Sequence, residues 1–157
     1  MLEQQLVNEL KAQGLTITFA ESCTAGLASA TLVNVSGASL VYKGGFVTYS
    51  NETKQSLLGV LEDILNTYGA ISEHTTNAMA KGALRQINAD IAVAISGNAG
   101  PLASEGKPVG CVCISVTDKN HTVSKTFLFE GTRSDIRKLA VENAFAMAIA
   151  FLKGENV

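Results

Sequence analysis

The sequence predicts an α/β protein, a three-layer α/β/α sandwich on a mixed central sheet. Two short runs of β-branched and apolar residues, at 15–20 and 89–95, are typical of strands buried on both faces of a sheet. Amphipathic stretches with helical spacing alternate with these runs, as in βαβ units. Two later strand-like runs, at 109–117 and 122–129, are separated only by a short turn, which predicts an antiparallel hairpin. The sheet is therefore expected to be mixed.

The first strand is expected to lead directly into a helix. A helix is predicted at 2–13, where Leu and Val recur at helical spacing until Gly14 ends the pattern. After the strand at 15–20, small apolar residues at 24–32 predict a helix that lies close to the sheet. Ser22 is expected at or near the N-cap of that helix, because serine is a favoured capping residue.

The remaining elements follow from the same signals. Residues 39–49 predict a strand whose central glycine pair marks a bulge or a close backbone approach. Short helices are predicted at 52–57 and 61–68, and a longer helix at 72–85 begins with a serine cap. The last helix, at 132–152, begins with a threonine and an aspartate at the spacing of a capping pair.

Composition and length exclude several classes of protein. The chain has 157 residues, of which 46% are hydrophobic and 17% charged, as expected for one globular domain over residues 1–157. The formal net charge of -2 gives no field that would hold a nucleic acid. No apolar run approaches the roughly 20 residues that span a bilayer, so no membrane association and a cytoplasmic location are expected.

The cysteines and histidines predict neither a disulfide nor a metal site. Cys111 and Cys113 are spaced i, i+2 on a predicted strand, which is poor geometry for a mutual disulfide, and Cys23 lies far away in sequence. His74 and His121 are distant from the cysteines and from each other. We therefore expect reduced thiols and no bound metal.

Three polar segments follow predicted strands and are expected to converge, because ligands of open α/β sheets bind beyond the carboxyl ends of the strands. They are residues 21–26, 48–54 and 96–101. Ser22 in the first segment is either a helix cap or a nucleophile activated by a neighbouring base. Neither histidine follows one of these strands, so a Ser-His-Asp triad is disfavoured, and Lys54 or Tyr49 is left as the proton acceptor.

Each of these residues also has an ordinary structural interpretation. Lys54 alone is typical of a solvated surface lysine, and Tyr49 of an edge aromatic. Cys23 is interpreted as a small core residue more readily than as the nucleophile. The glycine-containing loop that follows the strand at 89–95 has exposed N–H groups that suit a phosphate or carboxylate. Arg133 and Arg137 either bind a phosphate or form a solvated helix face.

Taken together, the segments resemble the C-terminal domain family of the competence/damage-inducible protein CinA, a family also found as stand-alone nicotinamide-nucleotide amidohydrolase. The motifs that carry the resemblance are ESCTAG at 21–26, GGFVTYSNETK at 44–54, LLGV at 57–60, GAISE at 69–73, SGNAGP at 96–101, KPVG at 107–110 and EGTRSDIR at 130–137. The resemblance implies an α/β/α fold, a homodimer and no cofactor. It also implies hydrolysis of nicotinamide mononucleotide to nicotinate mononucleotide and ammonia, a step in recycling pyridine nucleotides.

The resemblance places the family's serine nucleophile on Ser22 and its tyrosine and lysine on Tyr49 and Lys54. An oxyanion hole is expected from the N–H groups at the start of the helix after Ser22. The residues expected to bind the nucleotide follow the strands or begin the last helix; they are Thr24, Gly26, Ser96, Gly97, Asn98, Ala99, Gly100 and Arg133.

The chain departs from the family pattern at two places. Ala25 stands where the family usually has glycine, a change that is tolerated if this position has a negative φ. Asn98 replaces an apolar or small residue, and Pro101 is followed by Leu-Ala-Ser in place of Asp-Gly-Gly. The alternatives to the amidohydrolase are therefore a nucleotide-binding module without turnover and an amidase for a different small carboxamide.

Overall fold

A computed structural model describes all residues, 1–157, and contains a five-stranded mixed sheet with the strand order β2-β1-β3-β4-β5. The strands are β1 (Ile17–Glu21), β2 (Phe46–Val47), β3 (Ile91–Gly97), β4 (Cys111–Thr117) and β5 (Thr122–Leu128). β1 lies parallel to both β2 and β3, whereas β4 is antiparallel to β3 and β5. The predicted hairpin and the mixed sheet are confirmed.

Helices cover both faces of the sheet, which confirms the three-layer architecture. They are α1 (Leu2–Gln13), α2 (Leu27–Val33), α3 (Asn51–Leu58), α4 (Glu62–Tyr68), α5 (Glu73–Ile87) and α6 (Arg133–Leu152). One face carries α1, α2 and α6 over large strand residues such as Phe19 and Ile95. The other carries α3, α4 and α5 over small ones such as Ala20 and Ala94. Large and small residues alternate along the strands because successive side chains point to opposite faces of the sheet. No helix combines the length and the apolar character needed to cross a membrane.

The strand predicted at 39–49 is shorter than expected. Only Phe46–Val47 forms a strand beside β1, Tyr42 makes an isolated parallel bridge with Ile17, and Ala38–Leu40 forms a short 3-10 helix. The close backbone approach predicted at the glycine pair is present, since a Cβ on Gly45 would lie 2.9 Å from the carbonyl oxygen of Phe19. Gly45 therefore lies tightly against Phe19, directly before Phe46 pairs with Ala20 of β1.

The helix predicted from residue 24 begins later, at Leu27, and Ser22 does not cap it. The Glu21 carboxylate takes that role, accepting hydrogen bonds from the N–H groups of Ala28 at 2.8 Å and Ser29 at 3.1 Å. The intervening turn requires a left-handed backbone at Ala25, with φ +46°. Ala25 therefore occupies a position that favours glycine, so the condition for an easily tolerated change is not met, and the substitution costs about 1 kcal/mol.

Candidate active site

The three predicted strand-end segments meet around one cavity of about 260 Å³. Most of the sequence-predicted site residues line it, namely Ser22, Tyr49, Lys54, Ser96, Gly97, Asn98, Ala99 and Arg133. The parallel register explains the convergence. Glu21 pairs with Val47 in β2 and with Ile95 in β3, so the residues that follow each strand emerge side by side.

Ser22 and Lys54 are in direct contact in this cavity. The Lys54 Nζ atom donates a hydrogen bond to Ser22 Oγ at 3.0 Å and another to the carbonyl oxygen of Thr48 at 2.9 Å. Lys54 lies in α3, which begins with a capping box between Ser50 and Thr53. That cap fixes the first turn of the helix and so directs the Lys54 side chain inward.

Lys54 is a buried amine without an ion-pair partner. Lys54 is only 1% exposed, and no carboxylate lies within salt-bridge distance of its amine. Burial lowers the pKa of Lys54 below its ordinary value of 10.5, and the more distant Glu105 carboxylate opposes part of that shift. A lysine whose neutral form is favoured by burial and that contacts a hydroxyl is a candidate general base.

The N–H groups of the first turn of α2 are bonded within the chain and cannot form the predicted oxyanion hole, which leaves the N–H group of Cys23, directly after Ser22, as the candidate from that segment. The N–H group of Leu27 donates to the carbonyl oxygen of Thr24, and those of Ala28 and Ser29 donate to Glu21. A different donor lies in the cavity wall. Ala99 is 3% exposed and lines the cavity, and its N–H group makes no hydrogen bond within the chain. Ala99 is therefore a further candidate donor to an oxyanion, beside the N–H group of Cys23.

Tyr49 lies at the mouth of the cavity and contacts an arginine rather than Ser22 or Lys54. It is 60% exposed, and its hydroxyl accepts a hydrogen bond from Arg133 Nη2 at 2.9 Å. Arg133 also donates, through Nη1, to the carbonyl oxygen of Gly100. The arginine thus joins the mouth of the cavity to the loop after β3.

Arg137 is neither a solvated surface residue nor part of the cavity lining. Its Nε and Nη2 atoms donate to the carbonyl oxygens of Cys23 at 3.0 Å and Thr24 at 2.8 Å. These bonds attach the turn that follows Ser22 to α6. The sequence predicts that Arg137 either binds a phosphate or lies on a solvated helix face. The structure shows neither, because Arg137 bonds to backbone carbonyl oxygens.

Three of the residues expected to bind substrate lie outside the cavity lining. Thr24 is fully buried, with its carbonyl oxygen directed to Arg137. Gly26 is the N-cap residue of α2, and Gly100 offers its carbonyl oxygen to Arg133. The carbonyl oxygens of Thr24 and Gly100 thus contact arginines of α6, and Gly26 begins α2.

Asn98 ties together the loop that departs from the family pattern. Its Oδ1 atom accepts a hydrogen bond from the N–H group of Gly100 at 2.9 Å. Its Nδ2 atom donates to the carbonyl oxygen of Leu102 at 2.9 Å. An apolar residue at this position would make neither bond, so Asn98 stabilises the particular loop that this chain has.

Sequence reasoning missed part of the cavity wall. Asn51, Ala70, Ile71, Ser104 and Glu105 also line it. Asn51 belongs to the segment 48–54 and Ala70 and Ile71 to the motif GAISE, but neither spacing nor the resemblance gave them a role, and Ser104 and Glu105 reach the site only through tertiary contacts. No group of three or more potential metal ligands occurs in the structure.

Cys23 is predicted to be dispensable for catalysis. Burial raises the pKa of its thiol to about 11, so about one molecule in ten thousand carries the thiolate at pH 7. We expect Cys23→Ala to retain turnover within about threefold of the parent, since the change removes only the thiol and keeps the hydrogen bond between Ser22 and Lys54. Initial rates and iodoacetamide labelling at pH 7 test this. Rapid labelling together with loss of turnover in the variant would return Cys23 to consideration as the nucleophile.

Comparison with known proteins identifies the family of the chain. The family model for the CinA C-terminal domain matches residues 1–152. A putative competence-damage inducible protein of Desulforamulus reducens is 42% identical over 154 residues, covering 98% of this chain and 38% of that protein. A CinA-like protein of Prochlorococcus marinus is 47% identical over 144 residues, covering 89% of this chain and 34% of that protein. The chain thus spans little more than a third of the length of these curated relatives.

Solved structures match over nearly their whole length. The crystal structure of a CinA superfamily protein from Klebsiella pneumoniae has a TM-score of 0.95 and 34% identity, covering 98% of this chain and 96% of that chain. The crystal structure of a competence/damage inducible protein from Agrobacterium tumefaciens has a TM-score of 0.92 and 38% identity, covering 97% and 93%. Sequence and fold therefore agree, and the chain belongs to the CinA C-terminal domain family.

Proposed function

We propose that the chain is an amidohydrolase that converts nicotinamide mononucleotide to nicotinate mononucleotide and ammonia through an acyl-enzyme on Ser22. The observation that carries the proposal is the 3.0 Å hydrogen bond between Lys54 Nζ and Ser22 Oγ inside a cavity. Burying a lysine without a carboxylate partner costs folding free energy. Such a lysine at hydrogen-bond distance from a serine hydroxyl is suited to proton transfer, which gives this costly arrangement a function. The choice of substrate rests on the family resemblance.

In the proposed reaction, the neutral amine of Lys54 takes the proton of the Ser22 hydroxyl as Oγ attacks the carboxamide carbon. The N–H group of Ala99 stabilises the negative oxygen of the tetrahedral intermediate. When the C–N bond breaks, the Lys54 ammonium returns the proton to the leaving nitrogen, which departs as ammonia. Water then attacks the ester, releases the carboxylate product and restores the hydroxyl.

Ammonia release from nicotinamide mononucleotide tests the proposal. A purified protein that releases ammonia and nicotinate mononucleotide in equal amounts supports it. Binding of the nucleotide without ammonia release would instead favour the alternative, a nucleotide-binding module, which the altered loop around Asn98 motivates. A panel of small carboxamides distinguishes a third outcome, an amidase for another substrate.

Tyr49→Phe is predicted to have a much smaller effect on turnover than any change at Lys54. The Tyr49 hydroxyl is bonded to Arg133, whereas the Ser22 hydroxyl is bonded to Lys54. Loss of the phenol therefore releases Arg133 at the mouth of the cavity and leaves the serine and its base in contact. We expect kcat to fall less than about tenfold and KM to rise, because a binding contact is changed while the reacting groups are kept. A drop in kcat as large as that of Lys54→Met would place Tyr49 in the proton transfer.

A further inference from the structure

The turn Gly69–Ile71, which joins α4 to α5, holds a carboxylate at the edge of the cavity. The N–H groups of Ala70 and Ile71 donate to Glu105 at 3.0 and 3.2 Å. Neither N–H group bonds to any other atom of the chain. Successive backbone N–H groups directed at one point form a concave site of the kind that binds carboxylates and phosphates. The turn therefore has the geometry of an anion receptor, with an anion of the same chain seated in it.

Gly69 makes room for that anion. A Cβ on Gly69 would lie 2.5 Å from the Oε2 atom of Glu105 and 3.1 Å from its Cδ atom. Any side chain there would fill the space that the carboxylate occupies. The receptor is separate from the capped N-terminus of α5, where the Ser72 hydroxyl already accepts the N–H group of Thr75. The motif GAISE begins with the receptor residues, and the acyl-transfer steps make no use of them.

Glu105 reaches the receptor from the exposed part of the loop that follows β3. Its backbone has φ +55°, a left-handed conformation that residues with a Cβ disfavour. The loop keeps other attachments, since Asn98 bonds to Leu102 and backbone hydrogen bonds join Ser104 to Lys107. Removal of the carboxylate therefore frees the receptor while the loop stays anchored.

Ala70, Ile71 and Glu105 line the same cavity as Ser22 and Lys54. We propose that the Gly69–Ile71 turn binds an anionic group of the substrate, either a phosphate monoester or a carboxylate, and that Glu105 leaves the turn when this group enters. The identity of the substrate that carries this anionic group rests on the proposed function, whereas anion binding by the turn does not. Glu105 is then a specificity residue, because only a ligand that competes with its carboxylate gains the two N–H groups.

The receptor can be tested without any turnover, by following backbone amide resonances during titration with inorganic phosphate at constant ionic strength. In Glu105→Ala, we expect the Ala70 and Ile71 resonances to shift and to saturate, with a Kd at least tenfold lower than in the parent protein. Chloride should produce no such shifts, and a parallel titration with acetate shows whether carboxylates bind as well as phosphates. Unshifted amides in the variant, or equal affinities in the two proteins, would overturn the proposal.

Glu105→Gln provides a second variant that keeps the length of the side chain. Its amide has one accepting oxygen and one donating nitrogen, so it satisfies only one of the two N–H groups. We expect its affinity for phosphate to lie between those of the parent and of Glu105→Ala. An affinity no better than that of the parent, in a variant with an unchanged melting temperature, would contradict the competition between Glu105 and the anion.

A kinetic comparison separates this inference from the proposed function. Glu105→Ala should lower KM for nicotinamide mononucleotide relative to KM for the corresponding riboside, which lacks the phosphate. A merely loosened loop would raise both values and would count against the proposal. If phosphate shifts the two amides but no carboxamide releases ammonia, the proposed function fails and the receptor stands. If ammonia is released but the amides remain unshifted, the receptor fails and the proposed function stands.

Discussion

Ser22→Ala is expected to reduce ammonia release from nicotinamide mononucleotide at least about a thousandfold, because removal of a nucleophile removes the acyl-enzyme route entirely. The fold should be retained. Ser22 is a small residue at the end of β1, its N–H group still donates to the carbonyl oxygen of Ile95, and Lys54 still bonds to Thr48. Loss of one hydrogen bond costs about 0.5–1.5 kcal/mol of unfolding free energy. Initial rates and thermal melts of the two proteins measure both quantities.

Ser36→Ala is a matched control for that experiment. Ser36 is exposed and does not line the cavity, so the same chemical change there should leave turnover unaltered. Trapping adds a second measurement, since an acylated peptide containing Ser22 should be detected by mass spectrometry in the parent protein and be absent from the variant. Turnover of Ser22→Ala comparable to that of the parent would remove this residue from the mechanism.

The layers of the fold could be predicted from the sequence because their signals are local. Helical spacing, uninterrupted β-branched runs and capping residues depend on neighbours within a few positions. The errors lie where a contact between elements decides the outcome. The segment predicted as a strand at 39–49 pairs with β1 only at the isolated Tyr42–Ile17 bridge and over Phe46–Val47. Helix α2 begins at Leu27, where the carboxylate of Glu21 on β1 caps it.

The site, too, has features that could be predicted from the sequence and features that depend on tertiary contacts. That residues after β1, β2 and β3 would meet follows from the general property of parallel sheets. That Lys54 reaches Ser22 does not follow from spacing, because it depends on the register of Glu21 with Val47 and on the position of α3. Spacing alone left both Tyr49 and Lys54 as the base, and it gave no sign of Glu105. The nucleotide substrate entered through the resemblance to a family and through no physical property of the residues.

Lys54→Met is expected to remove activity and to stabilise the protein at neutral pH. Loss of a general base costs about 10²–10⁴-fold in rate. The stability effect has the opposite sign, because burial lowers the pKa of Lys54 and the folded state must bury an ammonium whenever that group is charged. Methionine has a similar length and no charge, so the variant should melt at a higher temperature. Gain of stability on loss of activity is the signature of a residue kept for function.

The pH dependence of stability and of activity gives the sharpest test of the role of Lys54. Since the pKa of Lys54 is lower in the folded than in the unfolded chain, the unfolded chain binds more protons between the two values, and stability of the parent protein rises with pH across that interval. The stability advantage of Lys54→Met should therefore be full below the folded pKa and disappear as pH approaches 10.5. The kcat/KM of the parent should rise with pH through the same folded pKa, because only the neutral amine accepts the proton of Ser22. Lys54→Arg keeps a charge that cannot be released, so it should be inactive without being stabilised. An active Lys54→Arg, or a Lys54→Met with unchanged kcat and a raised KM, would make Lys54 a substrate anchor instead of the base.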